Sequence, residues 1–391
     1  MATSEREFGL ALFGATGFAG RLIARYLARH APPGLRWAIA GRRRDRLQEL
    51  AESLAHLPSP PADVLEATVE DPSSLASMAR RSTVVLTTVG PYVHRGLPVV
   101  EACVGEATDY LDITGEPAFV HAVQERFGEA ARARGIRIVN CCGFDSIPPD
   151  LGAWVTAGEL PEDAPMTIAC HVSGVGRPSG GTWHSALGAM ADLREVLRGG
   201  PPAAATPGRT VSRLPARIYW EPATNGWACP LPTIDTEIVL RSAASLPRYG
   251  PDFRYGHYVR LRSLPQVLAG IVAVGAVVGL AQLPPTRALL LRLLEPGAGP
   301  DPERRARHWF SCVFLGEGGG RRVRVEVSGG DAGYDETAKM ASEAALSLAV
   351  DRARLPERSG VLTPAEAMAE VLVDRMALAG LPFRVVSRER I

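Results

Sequence analysis

The 391-residue chain has no excess charge of either sign: 43 lysines and arginines against 42 aspartates and glutamates leave a formal net charge of +1. A nucleic-acid partner is therefore not expected, since neutralising phosphates needs a basic surface. Cysteine is scarce and unpatterned. The six residues Cys103, Cys141, Cys142, Cys170, Cys229 and Cys312 include no C-x-x-C pair. Their scatter argues against a zinc site or a disulfide framework and fits a reduced, cytoplasmic setting, with no metal expected. The opening MATSERE is polar and gives no secretory leader. No internal repeat or long low-complexity segment breaks the chain. Hydrophobic residues at 46% and charged residues at 22% allow a sizeable core, and the length suggests two domains.

Long apolar runs are also rare, with one exception. Leu264 to Leu283 is twenty residues without a charge, long enough to cross a bilayer. It holds four glycines or prolines and two glutamines, and lies between long polar segments. Arg260 and Arg262 precede it and Arg287 and Arg292 follow, so its flanks do not orient a span. Three readings stand: a buried or surface-docked helix, a peripheral membrane or lipid contact, and a true span.

What the chain does have is concentrated at its start. An apolar run, Phe8–Phe13, meets Gly14-Ala-Thr16-Gly17-Phe18-Ala-Gly20, and a helix-period stretch follows from Arg21 to Arg29. Strand, glycine turn and helix in that order form a cradle for a dinucleotide pyrophosphate. Gly14 lets the chain turn, Gly17 admits the phosphates and Gly20 lets helix and strand pack. The helix start offers N–H groups and a partial positive charge. The spacing is GxxGxxG rather than GxGxxG.

The second strand, Leu35–Ala40, ends at Gly41-Arg42-Arg43-Arg44, where a dinucleotide fold meets the adenosine ribose. Arginines there suit the 2′-phosphate of NADP, whereas NAD sites place an acid. Cations at a helix start also oppose its dipole. Further strands are expected at 62–67, 82–88, 108–112 and 136–140, with helices from Asp71-Pro72, over 97–104 and over 117–134. Strand four ends at Val89-Gly90-Pro91-Tyr92, facing the nicotinamide half of a cofactor. The alternation predicts a Rossmann domain, a doubly wound parallel sheet, over residues 1–150.

Beyond the loop Cys141–Asp150 the alternation stops, and residues 151–391 read as an α+β substrate domain. Strands are expected at 166–175 and near 236–240, and a hairpin at 309–315 and 321–327. Helices are expected at 180–197, 334–350 and 364–378, the C-terminal ones being free to pack back on the first domain.

Together GATGFAG (14–20), AGR (40–42), TTVGPY (87–92), DYLDITGE (109–116), CGFDSIPPDLG (142–152) and GGT (180–182) resemble the saccharopine dehydrogenase-like oxidoreductases. VSGGDAGYDETAKM (327–340) and GVLTPAEAM (360–368) extend the match. The chain is most similar to the branch of trans-acting enoyl reductases of bacterial lipid and polyketide synthesis. That resemblance implies NADP on residues 1–150 and reduction of a double bond conjugated to an acyl or polyketide thioester, on a chain carried by a synthase, a carrier-protein-bound chain being one form it could take. Two alternatives remain: a C–N oxidoreductase of the imine or amino-acid type, and a non-catalytic nucleotide-binding protein at a lipid surface. A homodimer is compatible with either.

Reduction of an enoyl thioester needs a donor to the carbonyl oxygen and a proton for the α-carbon. Tyr92 is the first candidate donor, against a packing tyrosine that covers the cofactor. Asp145 either serves as an acid with a raised pKa or caps the helix starting near Pro148. His184 is a further proton donor, and Gly180, Gly181 and Thr182 could bind an oxygen through backbone N–H groups. Tyr110, Asp112 and Glu116 read as architectural, and Cys141 and Cys142 as buried thiols. Tyr334 and Lys339 are additional candidates.

Overall fold

The computed structural model describes residues 6–176, 208–292 and 301–391. The expected helix at 180–197 lies outside the described residues. The chain divides into two compact units, Met1–Phe144 with Tyr334–Ala379, and Asp145–Gly333 with Gly380–Ile391.

The first unit is built on a parallel sheet of six successive strands and one late addition. β1 (Phe8–Phe13), β2 (Trp37–Gly41), β3 (Asp63–Glu66), β4 (Ser82–Thr87), β5 (Asp109–Asp112) and β6 (Arg137–Val139) lie in the order 3-2-1-4-5-6. Phe8, Leu10, Ala11 and Leu12 of β1 are wholly buried, as a central parallel strand covered on both faces requires. The helices α1 (Phe18–His30), α2 (Arg44–Leu54), α3 (Pro72–Arg81), α4 (Tyr92–Gly105) and α5 (Pro117–Arg134) connect these strands. Local signals account for several boundaries. Asp71 caps α3 by accepting Ser73 N–H at 3.0 Å, with Pro72 in the first turn. Gly135, with φ +66°, ends α5.

α4 begins at Tyr92, five residues before the expected start. The Glu116 carboxylate accepts the N–H groups of Tyr92 (3.0 Å) and Val93 (2.9 Å), so the helix is capped from 24 residues away. The alternation also does not end at β6. The strand Gly360–Leu362 pairs with it in parallel as a seventh member of the sheet. Helix Pro364–Leu378 follows behind a Thr363–Glu366 capping box. Helix Asp335–Val350 packs on α1 and against β1 and β4 of this same unit.

The second unit opens with α6 (Ile147–Ala157), so the expected division at residue 150 falls inside a helix. Its mixed sheet contains β7 (Met166–Val175), β8 (Thr210–Arg213), β9 (Tyr219–Glu221), β10 (Gly226–Pro230), β11 (Asp252–Leu261), β12 (Trp309–Gly318), β13 (Arg321–Gly329) and the strand Arg384–Arg390. β12 and β13 form the expected antiparallel hairpin. Phe314 of β12 packs so closely on α6 that a Cβ at Gly152 would meet its ring at 2.1 Å. Residues 236–240, expected as a strand, are instead part of α7 (Asp235–Ser245), which packs on α6 and β11. Burial of Ile238, Val239 and Ala243 on those neighbours outweighs the β-propensity of the T-E-I-V-L run. The apolar stretch forms α8 (Leu264–Ala281), followed by α9 (Pro284–Arg292). It is not a core helix: Val267 and Ala281 are its buried residues.

Candidate functional site

In the first unit the glycine loop lies at the carboxyl end of β1, between β2 and β4, where the strand order reverses. Such a switch point is where open parallel sheets bind ligands. Gly14 has φ +85°, and its N–H donates to Ala40 O of β2 at 2.9 Å. Gly17 N–H returns to Gly14 O at 3.0 Å, and Gly17 is the N-cap of α1 without a side chain to close the helix end. A Cβ on Gly20 would sit 2.2 Å from Gly14 O and 2.8 Å from Ala15 Cα. The residue thus permits α1 to start directly against the turn. Thr16 is half-buried, and the Phe18 ring meets Tyr334 edge-on at 4.8 Å.

Two neighbouring loops complete the crest. Thr88 Oγ1 donates to Gly14 O at 3.2 Å, and a Cβ on Gly14 would come within 2.7 Å of Val89 Cγ2. The loop Val89-Gly90-Pro91 thereby lies directly against the glycine turn, with a cis Gly90–Pro91 peptide. On the other side Gly41 ends β2 fully buried, while Arg42 and Arg43 are exposed. Arg46 pairs with Glu49 at 2.9 Å, but the Arg43 side chain forms no hydrogen bond or ion pair among the described residues. Arg42 faces Glu70, whose carboxyl is held below its ordinary range first by the Thr68 hydroxyl and also by the charges of Arg42 and Arg95. A turn that only glycine fits, an open helix start and the exposed arginines Arg42 and Arg43 beyond β2 suit a dinucleotide carrying an extra phosphate. Gly14, Thr16, Gly17, Phe18, Gly20, Gly41, Arg42, Arg43, Val89, Gly90 and Pro91 are the residues that would hold it.

Tyr92 adjoins this crest but faces inward. It is 6% exposed, its hydroxyl donates to Thr87 O at 3.1 Å, and its ring lies 5.6 Å from that of Phe119. Burial, then the Asp112 charge, holds the phenol far above its ordinary pKa. In this structure the hydroxyl expected to donate to a substrate carbonyl is instead bonded to the backbone, as a packing tyrosine would be. Asp112 is architectural in a definite sense. Its Oδ1 accepts the N–H groups of Thr114 and Cys141, both at 3.0 Å, and its Oδ2 accepts Asn140 Nδ2 at 2.6 Å. Burial raises its pKa to about 6 against those donors. Cys141 and Cys142 are buried thiols that form no disulfide. Thr337, which the sequence did not single out, accepts Phe144 N–H at 3.1 Å and fixes the end of this loop. Lys339 is tied to Glu336 at 2.7 Å.

The second unit holds a separate group of acids. Asp145 does not cap α6; Ser146 occupies the N-cap position. The Asp145 side chain is raised to about 6 by burial. Its charge contributes, after burial itself, to raising Asp235 well above the ordinary carboxyl range. Asp235 accepts Ser146 Oγ at 3.4 Å and also the Thr233 hydroxyl. His257 Nε2 lies 3.6 Å from Asp235 Oδ2, too long for a hydrogen bond, and its Nδ1 meets Tyr255 Oη at 3.1 Å. Burial, then the neighbouring His171, lowers His257 to about 3. At neutral pH the histidine is therefore uncharged, and burial favours the neutral form of Asp235. Neither Asp235 nor His257 has a local signal in the sequence, because Ser146 and Asp235 meet across 89 residues. Gly180, Gly181, Thr182 and His184 lie outside the described residues. Among the described residues no three His, Cys, Asp or Glu side chains are placed to share a metal.

The fold and its phosphate cradle define an NADP-dependent oxidoreductase. Residues 10–139 match the saccharopine dehydrogenase NADP binding domain. A Mycobacterium tuberculosis relative named as a trans-acting enoyl reductase is 37% identical, covering 98% of this chain and 99% of that one. The trans-acting enoyl reductase of Mycobacterium ulcerans is 34% identical over 100% of both chains. Among solved structures, the saccharopine dehydrogenase (L-Glu forming) of Saccharomyces cerevisiae shares the fold, with a TM-score of 0.55, 12% identity and coverage of 98% of this chain and 99% of that one. The chain belongs to the saccharopine dehydrogenase-like oxidoreductases, in the trans-acting enoyl reductase branch.

Proposed function

We propose that this oxidoreductase reduces a carbon–carbon double bond conjugated to the carbonyl of an acyl or polyketide thioester, acting in trans on a chain held by its synthase. The observation that carries the reading is the full-length similarity to proteins named as trans-acting enoyl reductases, 37% over 98% of the chain in one case. Bound NADPH supplies the hydride for such a reduction. Gly14, Gly17 and Gly20 admit its pyrophosphate, and Arg42 and Arg43 meet its 2′-phosphate.

The remaining requirement is a proton for the α-carbon. Asp145 suits this role better than Tyr92, because it combines a carboxyl raised to about 6 with partial exposure. Asp235 backs it with a second carboxyl that burial and the Asp145 charge also raise, and the Ser146 hydroxyl donates to Asp235. Like charges in such a pair resist losing both protons, which favours keeping one of them on the pair.

The test is NADPH consumption by the purified protein with a panel of enoyl thioesters, on pantetheine and on carrier protein, with products weighed by mass spectrometry. A gain of two hydrogens at the double bond is the expected result. NADPH oxidation with imines but with none of the thioesters would replace this reading by the C–N one.

A further inference from the structure

The helix α8 has no charged residue, and 16 of its 18 residues lie outside the buried class. Leu268, Ile271, Val272 and Val274 are each more than half exposed. At about 100° per residue they point to different sides, so the helix shows apolar surface around most of its girth. A helix of this kind is at home in a protein interior or in hydrocarbon, and the described residues of the second unit leave most of it uncovered.

Its root has the chemistry of a membrane–water boundary. β11 ends at Leu261, whose partner on β10 is Trp227; Trp227 in turn opposes Trp220 of β9. The two indoles meet edge to face at 5.8 Å, and Trp220 is 43% exposed. Tryptophan and arginine are residue types that settle at headgroup level. From residue 253 to 294 the sequence has no aspartate or glutamate but five arginines, at 254, 260, 262, 287 and 292. Arg262 and Arg287, at the two ends of α8, are exposed.

The far end of the helix is closed by side chains. Thr286 Oγ1 donates to Leu283 O at 3.0 Å and to Leu280 O, and Gln282 Nε2 donates to Val278 O at 3.4 Å. Carbonyls left open by a helix end must be satisfied in this way before a turn can enter hydrocarbon. The topology excludes a span. β11 before α8 and β12 after it both pair with β7, so the chain leaves and returns on one side. The returning segment carries Arg287, Arg292 and Glu295 within nine residues, too polar to recross a bilayer.

We propose that α8 sinks into one leaflet of a membrane containing anionic phospholipid, with Trp220, Trp227, Arg262 and Arg287 at headgroup level, and holds the enzyme on that surface. The inference is independent of which substrate the enzyme reduces.

The test is flotation of the full-length protein with vesicles of phosphatidylcholine alone and of phosphatidylcholine with phosphatidylglycerol. Tryptophan quenching by brominated lipid is read in parallel. The wild type is expected to float with the anionic vesicles, less with neutral ones, and to be quenched. The variant I271D/V272D should partition at least about tenfold less while keeping NADPH binding and its melting temperature. R262Q/R287Q should lose the preference for anionic vesicles. Wild-type protein that stays with the lipid-free fraction, or a double variant that floats undiminished, overturns the proposal. So does an aqueous dimer that I271D/V272D converts to monomer without any vesicle binding, which would assign the face to a second copy of the chain. Quenching of the wild type needs no variant, so it decides the matter even where I271D/V272D misfolds.

Discussion

Asp112 at the end of β5 accepts the N–H of Cys141, 3.0 Å away, where the chain leaves β6 with Cys141 at φ +62°. A non-glycine residue in the left-handed region is strained, and the buried carboxylate holds it there. The same carboxylate accepts Thr114 N–H and Asn140 Nδ2, so a single side chain shapes both loops at this edge of the crest.

That carboxyl titrates from 3.8 when exposed to about 6 when folded. A raised carboxyl pKa means that the folded state binds more protons between these values. Its stabilising contribution is complete below about pH 4 and lost as pH rises through about 6, a change of about 3 kcal/mol. Asp112→Asn should remove that pH dependence. It should fold, because Asn140 Oδ1 is without a partner and its amide can flip to accept the new donor. Asp112→Ala strands three donors; it should also lose the pH dependence and be less stable than Asp112→Asn by about 3 kcal/mol at either pH. Urea melts at pH 4.5 and 7.5 compare the three proteins.

Replacing Arg42 and Arg43 by alanine should weaken NADPH binding by roughly tenfold or more and leave NADH nearly unchanged. Fluorescence titration with both nucleotides measures the difference. Equal losses would remove the 2′-phosphate from these side chains.

A methyl group at residue 20 would meet Gly14 O at 2.2 Å, against backbone that cannot give way. Gly20→Ala should cost about 1–3 kcal/mol or more in stability and abolish tight NADPH binding. A variant that binds NADPH normally would separate the cradle from the cofactor.

Tyr92→Phe deletes a buried hydrogen bond to Thr87 O and should cost about 1 kcal/mol of stability. With the hydroxyl serving packing alone, kcat should stay within about threefold of wild type. A loss on the order of a hundredfold would restore Tyr92 as the donor to the substrate carbonyl.

Asp145→Asn should lower kcat by roughly a hundredfold or more and flatten its pH dependence. With Asp145 as the proposed proton source, its protonated form would be the active one, so kcat should fall as pH rises through the Asp145 transition, near 6. A wild-type rate that climbs across the same range would exclude Asp145 as the proton source.

Much of the first unit was legible in the order of residues, because its determinants are local. The turn Gly14–Gly20, the cap Asp71 with Pro72, and the apolar runs of β1 and β4 each act on neighbours a few residues away. The amphipathic hairpin β12–β13 is legible for the same reason. The family was legible too, in motifs running from Gly14 to Met368.

Other features are decided by partners distant in the chain, and no spacing rule reports them. Glu116 starts α4 by reaching Tyr92 and Val93, the strand Gly360–Leu362 joins β6, and Ile238 and Val239 follow their neighbours into a helix. Asp145, Asp235 and His257 become an acid cluster through burial, which only the folded chain supplies. The apolar run Leu264–Leu283 shows both sides of this division. Composition determined that it would be a helix unsuited to water, and tertiary structure alone decided that it would be left largely uncovered, because among the described residues it is touched mainly by α9, β10 and β11, and Val267 and Ala281 are its buried residues.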